Sequence, residues 1–357
     1  MYKVYDTIII GGGVLGSSIA YYLSESQKED IAVIEKEYPL AGASGANQGL
    51  IWVQTKSPAW YCEVSYYSAE LYKYLNRKIG DIEYRRTGGI VPLFTEEEKE
   101  HAQKSVEERC ELGITTQILS RKEALALEPA LSPDILGATY CEADGNVNPF
   151  RLVNQYMQKA KEQGVVYETN QEVLNIEAQN QGYIIYTPNE TYYCKKLVLS
   201  AGLGLTKLGR MLGITVPIHP EQGQMLVTEA IPPLIHHTFA GIRQAYNGEL
   251  LIGNTHSLTN VCTNTDLDVA SQIAQFAIKC IPALSKIKIV RNFAGIRVMT
   301  DDGLPIMGEI EGFQNLYIAV MHSGITLAPL VGTLMAQLIT RQETELLLER
   351  FNISRFC

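Results

Sequence analysis

Three glycines open the chemistry of this chain. Gly11, Gly13 and Gly16 follow an apolar, β-branched run, Asp6-Thr7-Ile8-Ile9-Ile10, and precede Ser17-Ser18-Ile19-Ala20-Tyr21-Tyr22-Leu23, whose apolar residues recur at helical spacing. A second apolar run, Ile31-Ala32-Val33-Ile34, ends in Glu35. Each residue type has a task in dinucleotide binding. Gly11 permits a tight turn, Gly13 lets backbone approach a pyrophosphate, and Gly16 lets helix and strand pack closely. Val14 and Leu15 stand in the turn, just before a helix whose free N–H groups and positive dipole end suit phosphates. Glu35, about 20 residues past the turn, accepts hydrogen bonds from a ribose. A chance glycine turn would not need strand, helix, second strand and acid in that order.

Three later stretches carry related chemistry. Gly42-Ala43-Ser44-Gly45-Ala46-Asn47-Gln48-Gly49 is almost all small. Beside a flat ligand, small side chains let backbone amides reach it, with Ser44 and Asn47 as polar contacts; a flexible surface loop has the same composition. Lys196-Leu197-Val198-Leu199-Ser200-Ala201-Gly202 reads as a buried strand ending in small residues, a second close approach to the dinucleotide. Leu316-Tyr317-Ile318-Ala319-Val320 is a further strand, and His322-Ser323-Gly324-Ile325-Thr326-Leu327-Ala328-Pro329 leads from it into a last helix, 330–341.

The elements that position these residues follow from periodicity and caps. Residues 59–78 read as a helix. Thr95 caps a helix ending near Gly113, and Ser120 with Glu123 forms a second capping-box pattern. Asn148 caps and Pro149 begins a helix that runs to Gly164. Strands are expected at 165–167, 172–176, 182–187 and 191–193, the last two joined by a Pro188-Asn189 turn. Residues 217–228, 241–253 and 288–297 look like strands of another sheet, and 265–280 like a helix.

With 357 residues, the chain is long enough for two domains. Its 46% hydrophobic and 19% charged residues are ordinary for a globular protein. A net charge of -9 with interleaved signs offers no basic footprint for nucleic acid. No apolar run reaches the roughly 18 residues of a membrane span. The first strand begins too early to leave room for a signal peptide. Cys62, Cys110, Cys141, Cys194, Cys262, Cys280 and Cys357 are scattered, without metal-ligand spacing, and read as reduced thiols. A cytoplasmic location and no metal site are the expectations.

These stretches together resemble the D-amino-acid oxidase family of FAD flavoproteins. That group includes glycine oxidase, sarcosine oxidase and the catalytic subunits of opine, hydroxyproline and hydrogen-cyanide-forming dehydrogenases. The likeness spans nearly the whole chain in order. Besides the segments above it rests on Thr87-Gly88-Gly89, Asp144-Gly145-Asn146-Val147-Asn148-Pro149, Gly223-Gln224, Ala294-Gly295-Ile296-Arg297 and Asp302-Gly303-Leu304-Pro305. The fold it implies is α/β: a Rossmann-like FAD-binding domain of the glutathione-reductase type from 1–80, 145–210 and 295–357, and a discontinuous mixed-sheet substrate domain from 81–144 and 211–294. By the resemblance, Glu35 and Lys36 hold the adenosine and Val173 contacts adenine through its backbone. Ala43, Ser44, Asn47, Gln48 and Gly49 line the flavin. Ser323, Gly324, Ile325 and Thr326 place backbone amides near its pyrimidine end.

The implied reaction moves a hydride from an amine-bearing carbon to the flavin, and water hydrolyses the resulting imine. The expected substrate is a small amino acid or secondary amine: a D-amino acid, glycine, sarcosine, a proline derivative or an opine. Its carboxylate needs a fixed cation, for which Arg is the bidentate choice. Arg297 stands at the family's carboxylate position; an interdomain salt bridge is the alternative. His322 replaces a second Arg of glycine oxidase, either touching substrate or hydrogen-bonding at the sheet end. A glycine-oxidase Tyr near Gly241 is missing here. Arg243 and His256, on neighbouring strands, read as structural more than pocket-facing. Val298-Met299-Thr300 lacks the Cys that tethers FAD in sarcosine oxidases, so FAD is expected to be non-covalent. The 322–329 wording is nearer the dehydrogenase subunits, which pass electrons to partner subunits. An oxygen-using glycine or D-amino-acid oxidase and a non-catalytic FAD-binding electron-transfer subunit are the other readings.

Overall fold

The computed structural model describes residues 2–356 apart from 260, 345 and 347, so Cys357 lies outside the described residues. The chain forms two units, one of Met1–Ala46, Pro149–Pro220 and Arg297–Cys357, the other of Asn47–Asn148 and Glu221–Ile296. These boundaries differ from those read in the sequence. Residues 47–80, 145–148 and 295–296, expected in the first unit, belong to the second. Leu50–Ile51 pairs antiparallel with Gly145–Asn146, and Val53 N–H donates to Asp144 Oδ1 at 2.6 Å. Residues 211–220, expected in the second unit, belong to the first, where Met211, Leu212, Ile214 and Val216 join its core.

The first unit is organised about β1 (Lys3–Ile10). It is followed by α1 (Val14–Ser26) and β2 (Ile31–Ile34), which returns parallel to β1 with Ile34 opposite Ile10. On its other side β1 runs parallel to Thr191–Leu199, Ile10 opposite Leu199. Leu316–Val320 and Val166–Glu168 extend the parallel sheet, and Ile306–Glu309 adds an antiparallel edge. Near-continuous Ile and Val runs are what a parallel sheet covered on both faces demands. Ile8, Ile10, Ile34, Leu197, Leu199, Ile318 and Val320 bury one face into a common core. On α1, Tyr21 meets Tyr156 of the helix Pro149–Glu162, ring centroids 5.5 Å apart.

Two local readings are corrected here. The hairpin return at 191–193 and the buried run at 196–199 are one nine-residue strand, Thr191–Leu199, pairing with Gly182–Tyr186 on one side and running on beside β1. The last helix starts at Gly324 rather than 330 and carries Pro329 inside it. Proline there removes one backbone donor, and dense burial of the helix along most of its length holds it together.

The second unit is built on an eight-stranded mixed sheet to which it contributes, in order, 289–296, 221–228, Leu250–Gly253, Ile242–Gln244, Thr238–Phe239, Gly89–Leu93, Gly137–Cys141 and Thr116–Ser120. Thr238–Phe239 and Gly89–Leu93 pair in parallel. Ile90, Phe239, Ile242, Leu250 and Ile252 point to one face and form a core with Ile273, Ala277 and Leu284. Both capping boxes anticipated from sequence are present, Thr95 with Glu98 and Ser120 with Glu123. Among the described residues, no helix is long and apolar enough to cross a membrane and no cluster could hold a metal ion.

Candidate dinucleotide site

The glycine turn between β1 and α1 is built as its residue types require. Gly11 has φ +111°, and a Cβ on it would stand 2.6 Å from Ser200 O. A Cβ on Gly16 would stand 1.9 Å from Gly11 O and 2.8 Å from Ser200 Oγ. Ser200 in turn donates through Oγ to Ile10 O at 3.1 Å, and its backbone N–H reaches the same carbonyl at 2.9 Å. The segment Ser200-Ala201-Gly202 thus lies directly against the turn, with Gly202 at φ +56°.

Gly13 is different. Among the described residues, the only atoms a Cβ there would meet within 4 Å belong to Ser44, Oγ at 3.0 Å and Cβ at 4.0 Å. Ser44 Oγ accepts from Val14 N–H at 3.0 Å. The first intrahelical bond of α1 runs from Ser17 N–H to Gly13 O, so the N–H groups of Leu15 and Gly16 precede the helical ladder. Glu35 stands at the tip of β2, its Oε2 accepting from Gly12 N–H at 2.8 Å and its Oε1 from Glu37 N–H at 3.0 Å. Each carboxylate oxygen keeps further acceptor capacity for hydroxyls. A glycine approached only by the Ser44 side chain among the described residues, first-turn donors and an acid at the next strand end fit a dinucleotide.

The last helix, Gly324–Ile339, strengthens that fit. A Cβ on Gly324 would come within 3.2 Å of Val14 Cγ1, and one on Gly332 within 2.3 Å of Ser18 Oγ. The two helices therefore run parallel with their N-termini side by side, so their positive dipole ends add at the carboxyl end of the parallel strands. Buried Ser323, Ile325 and Thr326 lie in the first turn of the second helix.

The remaining expected residues are placed as follows. Val173 is buried and precedes the strand Asn175–Gln179, which begins later than expected. Gln171 N–H donates to Glu35 O at 2.9 Å, tying that loop to the acid. Lys36 is exposed and pairs with Glu37 at 2.9 Å. Ala43 opens a one-turn helix, Ala43–Gly45. Asn47, Gln48 and Gly49 fall in the second unit. Asn47 Oδ1 accepts from Gly49 N–H at 2.8 Å, while Gln48 Nε2 donates to Gly241 O at 2.8 Å and Gly253 O at 3.0 Å. Arg297, half-buried in Ile289–Thr300, belongs to the first unit. His322 is exposed, its Nδ1 3.4 Å from Ser323 Oγ.

Within the second unit, the sheet face opposite the apolar core is polar. Thr238 Oγ1 bonds Thr87 Oγ1 and Asn146 Nδ2, both at 2.9 Å. Gln54 bonds Thr139 at 2.6 Å and Asp144 at 2.7 Å. Asp144, read in the sequence only as turn chemistry, is fully buried, and burial pushes its carboxyl up to about 7. Burial lowers nearby Lys56 to about 8, with Asp144 opposing the shift. Arg243 is on this face and buried. His256 pairs with Glu221 at 2.6 Å, in keeping with a structural role. No local pattern distinguishes Asp144 from any Asp-Gly turn; its burial needed the three-dimensional fold.

The comparisons with known proteins agree with this geometry. The chain is 31% identical to an opine oxidase subunit of Rhizobium meliloti, covering 100% of this chain and 98% of that one. The structure of glycine oxidase from Geobacillus kaustophilus superposes with a TM-score of 0.93 at 28% identity, covering 99% of both chains. L-proline dehydrogenase from P. horikoshii gives 0.92 at 26% identity, covering 100% of this chain and 98% of that one. The family model described as DAO, FAD dependent oxidoreductase, matches residues 6–338, and the chain belongs to that family of FAD-dependent enzymes.

Proposed function

We propose that this flavoenzyme oxidises the C–N bond of a small amino acid or secondary amine and passes the electrons to a partner subunit. The observation that carries this reading is likeness along the full length to a protein named as a subunit of an opine oxidase. The bound FAD supplies the hydride acceptor. Gly11, Gly13 and Gly16 with Glu35 and Ser44 would hold the dinucleotide, and the paired helix N-termini would face its anionic groups. Arg297 would bind the substrate carboxylate through its planar fork and so fix the amine-bearing carbon. His322, exposed beside Ser323, is the second candidate to contact substrate.

The test is anaerobic mixing of the holoenzyme with glycine, sarcosine, D-amino acids, proline isomers and opines, reading flavin absorbance. At least one amine should bleach the flavin, and an artificial electron-accepting dye should restore the colour faster than oxygen does. Absence of bleaching with every amine would overturn the proposal. Faster recovery with oxygen would favour the oxidase reading, which the superposition on glycine oxidase supports.

A further inference from the structure

Val53 gathers three titratable side chains within the second unit. Its N–H donates to Asp144 Oδ1 at 2.6 Å, and its carbonyl accepts both the Lys56 N–H at 3.0 Å and Cys62 Sγ at 3.3 Å. Buried Arg109 fixes the chain between them, donating through Nε to Gln54 O at 3.2 Å and through Nη2 to Lys56 O at 2.5 Å. The Lys56 side chain turns onto Tyr61, its amine 5.4 Å from the ring centroid. Lys56 is half-buried, so its amine loses much of its hydration while the residue keeps an opening to solvent.

The groups around this amine that titrate or carry charge are Asp144, Cys62, Tyr61 and Arg109. Burial holds the amine down to about 8, against the pull of Asp144 and Cys62. Roughly a tenth of it is therefore unprotonated at pH 7, against less than about a thousandth of an ordinary lysine. Burial pushes the Cys62 thiol up to about 11, which silences the competing nucleophile of the cluster.

We propose that Lys56 is a modification site whose amine condenses with small aldehydes and 2-oxo acids to form an imine. Attack by the nitrogen lone pair forms the C–N bond and sends the carbonyl π pair to oxygen, which takes the proton that nitrogen gives up. A second proton, from solvent, lets that oxygen leave as water while the C=N bond closes as a cationic iminium. No oxidant or reductant is consumed. One positive charge replaces another, so the Tyr61 ring and Asp144 favour the iminium as they favour the ammonium. Carbonyl compounds are also what imine hydrolysis releases in the amine oxidation proposed above. Only this link, which makes Lys56 a target of the enzyme's own product, rests on that reading.

The test incubates the holoenzyme with glyoxylate and sodium cyanoborohydride, which traps the imine as a secondary amine, and locates tagged lysines by peptide mass mapping. At pH 7.5 Lys56 should be tagged at least tenfold faster than Lys36 and Lys195, whose ammonium groups are held by Glu37 and Asp6. Trace acetylation with acetic anhydride reads the pH profile of the same amine. The rate at Lys56 should level off above about pH 8, and Asp144→Asn should move the profile to lower pH by removing the anion that favours the ammonium. Lys56→Met should lose the fast tag and keep the FAD content of wild type. Tagging of Lys56 no faster than of Lys36 would overturn the proposal, as would a fast tag that persists in Lys56→Met. An acetylation rate that climbs through the ordinary lysine range, about pH 10, would do the same. Should Asp144→Asn fail to fold, the wild-type profile and Lys56→Met decide. Fast tagging of Lys56 in a protein whose flavin no amine bleaches would keep the site and sink the proposed reaction.

Discussion

Ser18 Oγ donates to the carbonyl of Ala328 at 2.7 Å, across 310 residues of sequence. The same offset relates Val14 to Gly324 and Tyr22 to Gly332, so α1 and the last helix stay in register over two turns. This close approach depends on the missing side chain at 332. Gly332→Ala should therefore destabilise the protein by about 1–3 kcal/mol, the cost of overpacking a tight contact. FAD should be lost more readily, because both helix N-termini shift together. Urea unfolding with flavin fluorescence checks both effects; unchanged stability would show that the helices can part freely.

Glu35 holds the Gly12 N–H, and in the proposed site it also meets the ribose. Glu35→Ala should weaken FAD binding roughly 10- to 150-fold, the range for losing one hydrogen bond to a charged acceptor. Fluorescence titration of deflavinated protein measures this. Acid precipitation of wild type should release FAD into the supernatant, since non-covalent attachment is expected; flavin pelleting with the polypeptide would contradict that.

Arg297→Ala should lower kcat/KM for a carboxylate substrate by roughly 30-fold to several thousand-fold, corresponding to about 2–5 kcal/mol for truncating one partner of a desolvated pair. Arg297→Lys should fall between, keeping charge without the fork. FAD content should match wild type in both. Loss of FAD together with activity would instead mark Arg297 as a structural ion pair.

Asp144 makes a prediction about pH. Its carboxyl titrates near 7 when folded, raised from an ordinary 3.8, chiefly by burial. A raised folded value means that stability from this group is full below about pH 4 and is lost as pH rises towards 7. Asp144→Asn removes the titration but sets an amide against the donors Val53 N–H and Gln54 Nε2. The variant should be less stable than wild type at pH 5, by about 1–3 kcal/mol. The gap should narrow as pH approaches 7. Thermal midpoints with saturating FAD between these pH values give the sign; a gap that widens with pH would refute the assignment.

The sequence by itself determined what depends on neighbours in the chain. Glycine spacing at Gly11, Gly13 and Gly16, the acid at Glu35, the apolar runs of β1 and β2 and the capping boxes at Thr95 and Ser120 are local. Backbone conformation and first-turn hydrogen bonds are decided within a few residues. The tertiary structure decided what depends on distant contacts. Residues 47–80 joined the second unit, where Gln54 donates to Gly89 O and accepts from Arg109. Pro329 stayed inside a helix that periodicity alone could not have placed, because α1 packs along it. Asp144 and Arg243 acquired their electrostatic character from burial, and burial is a property of the folded neighbourhood that no spacing along the chain records.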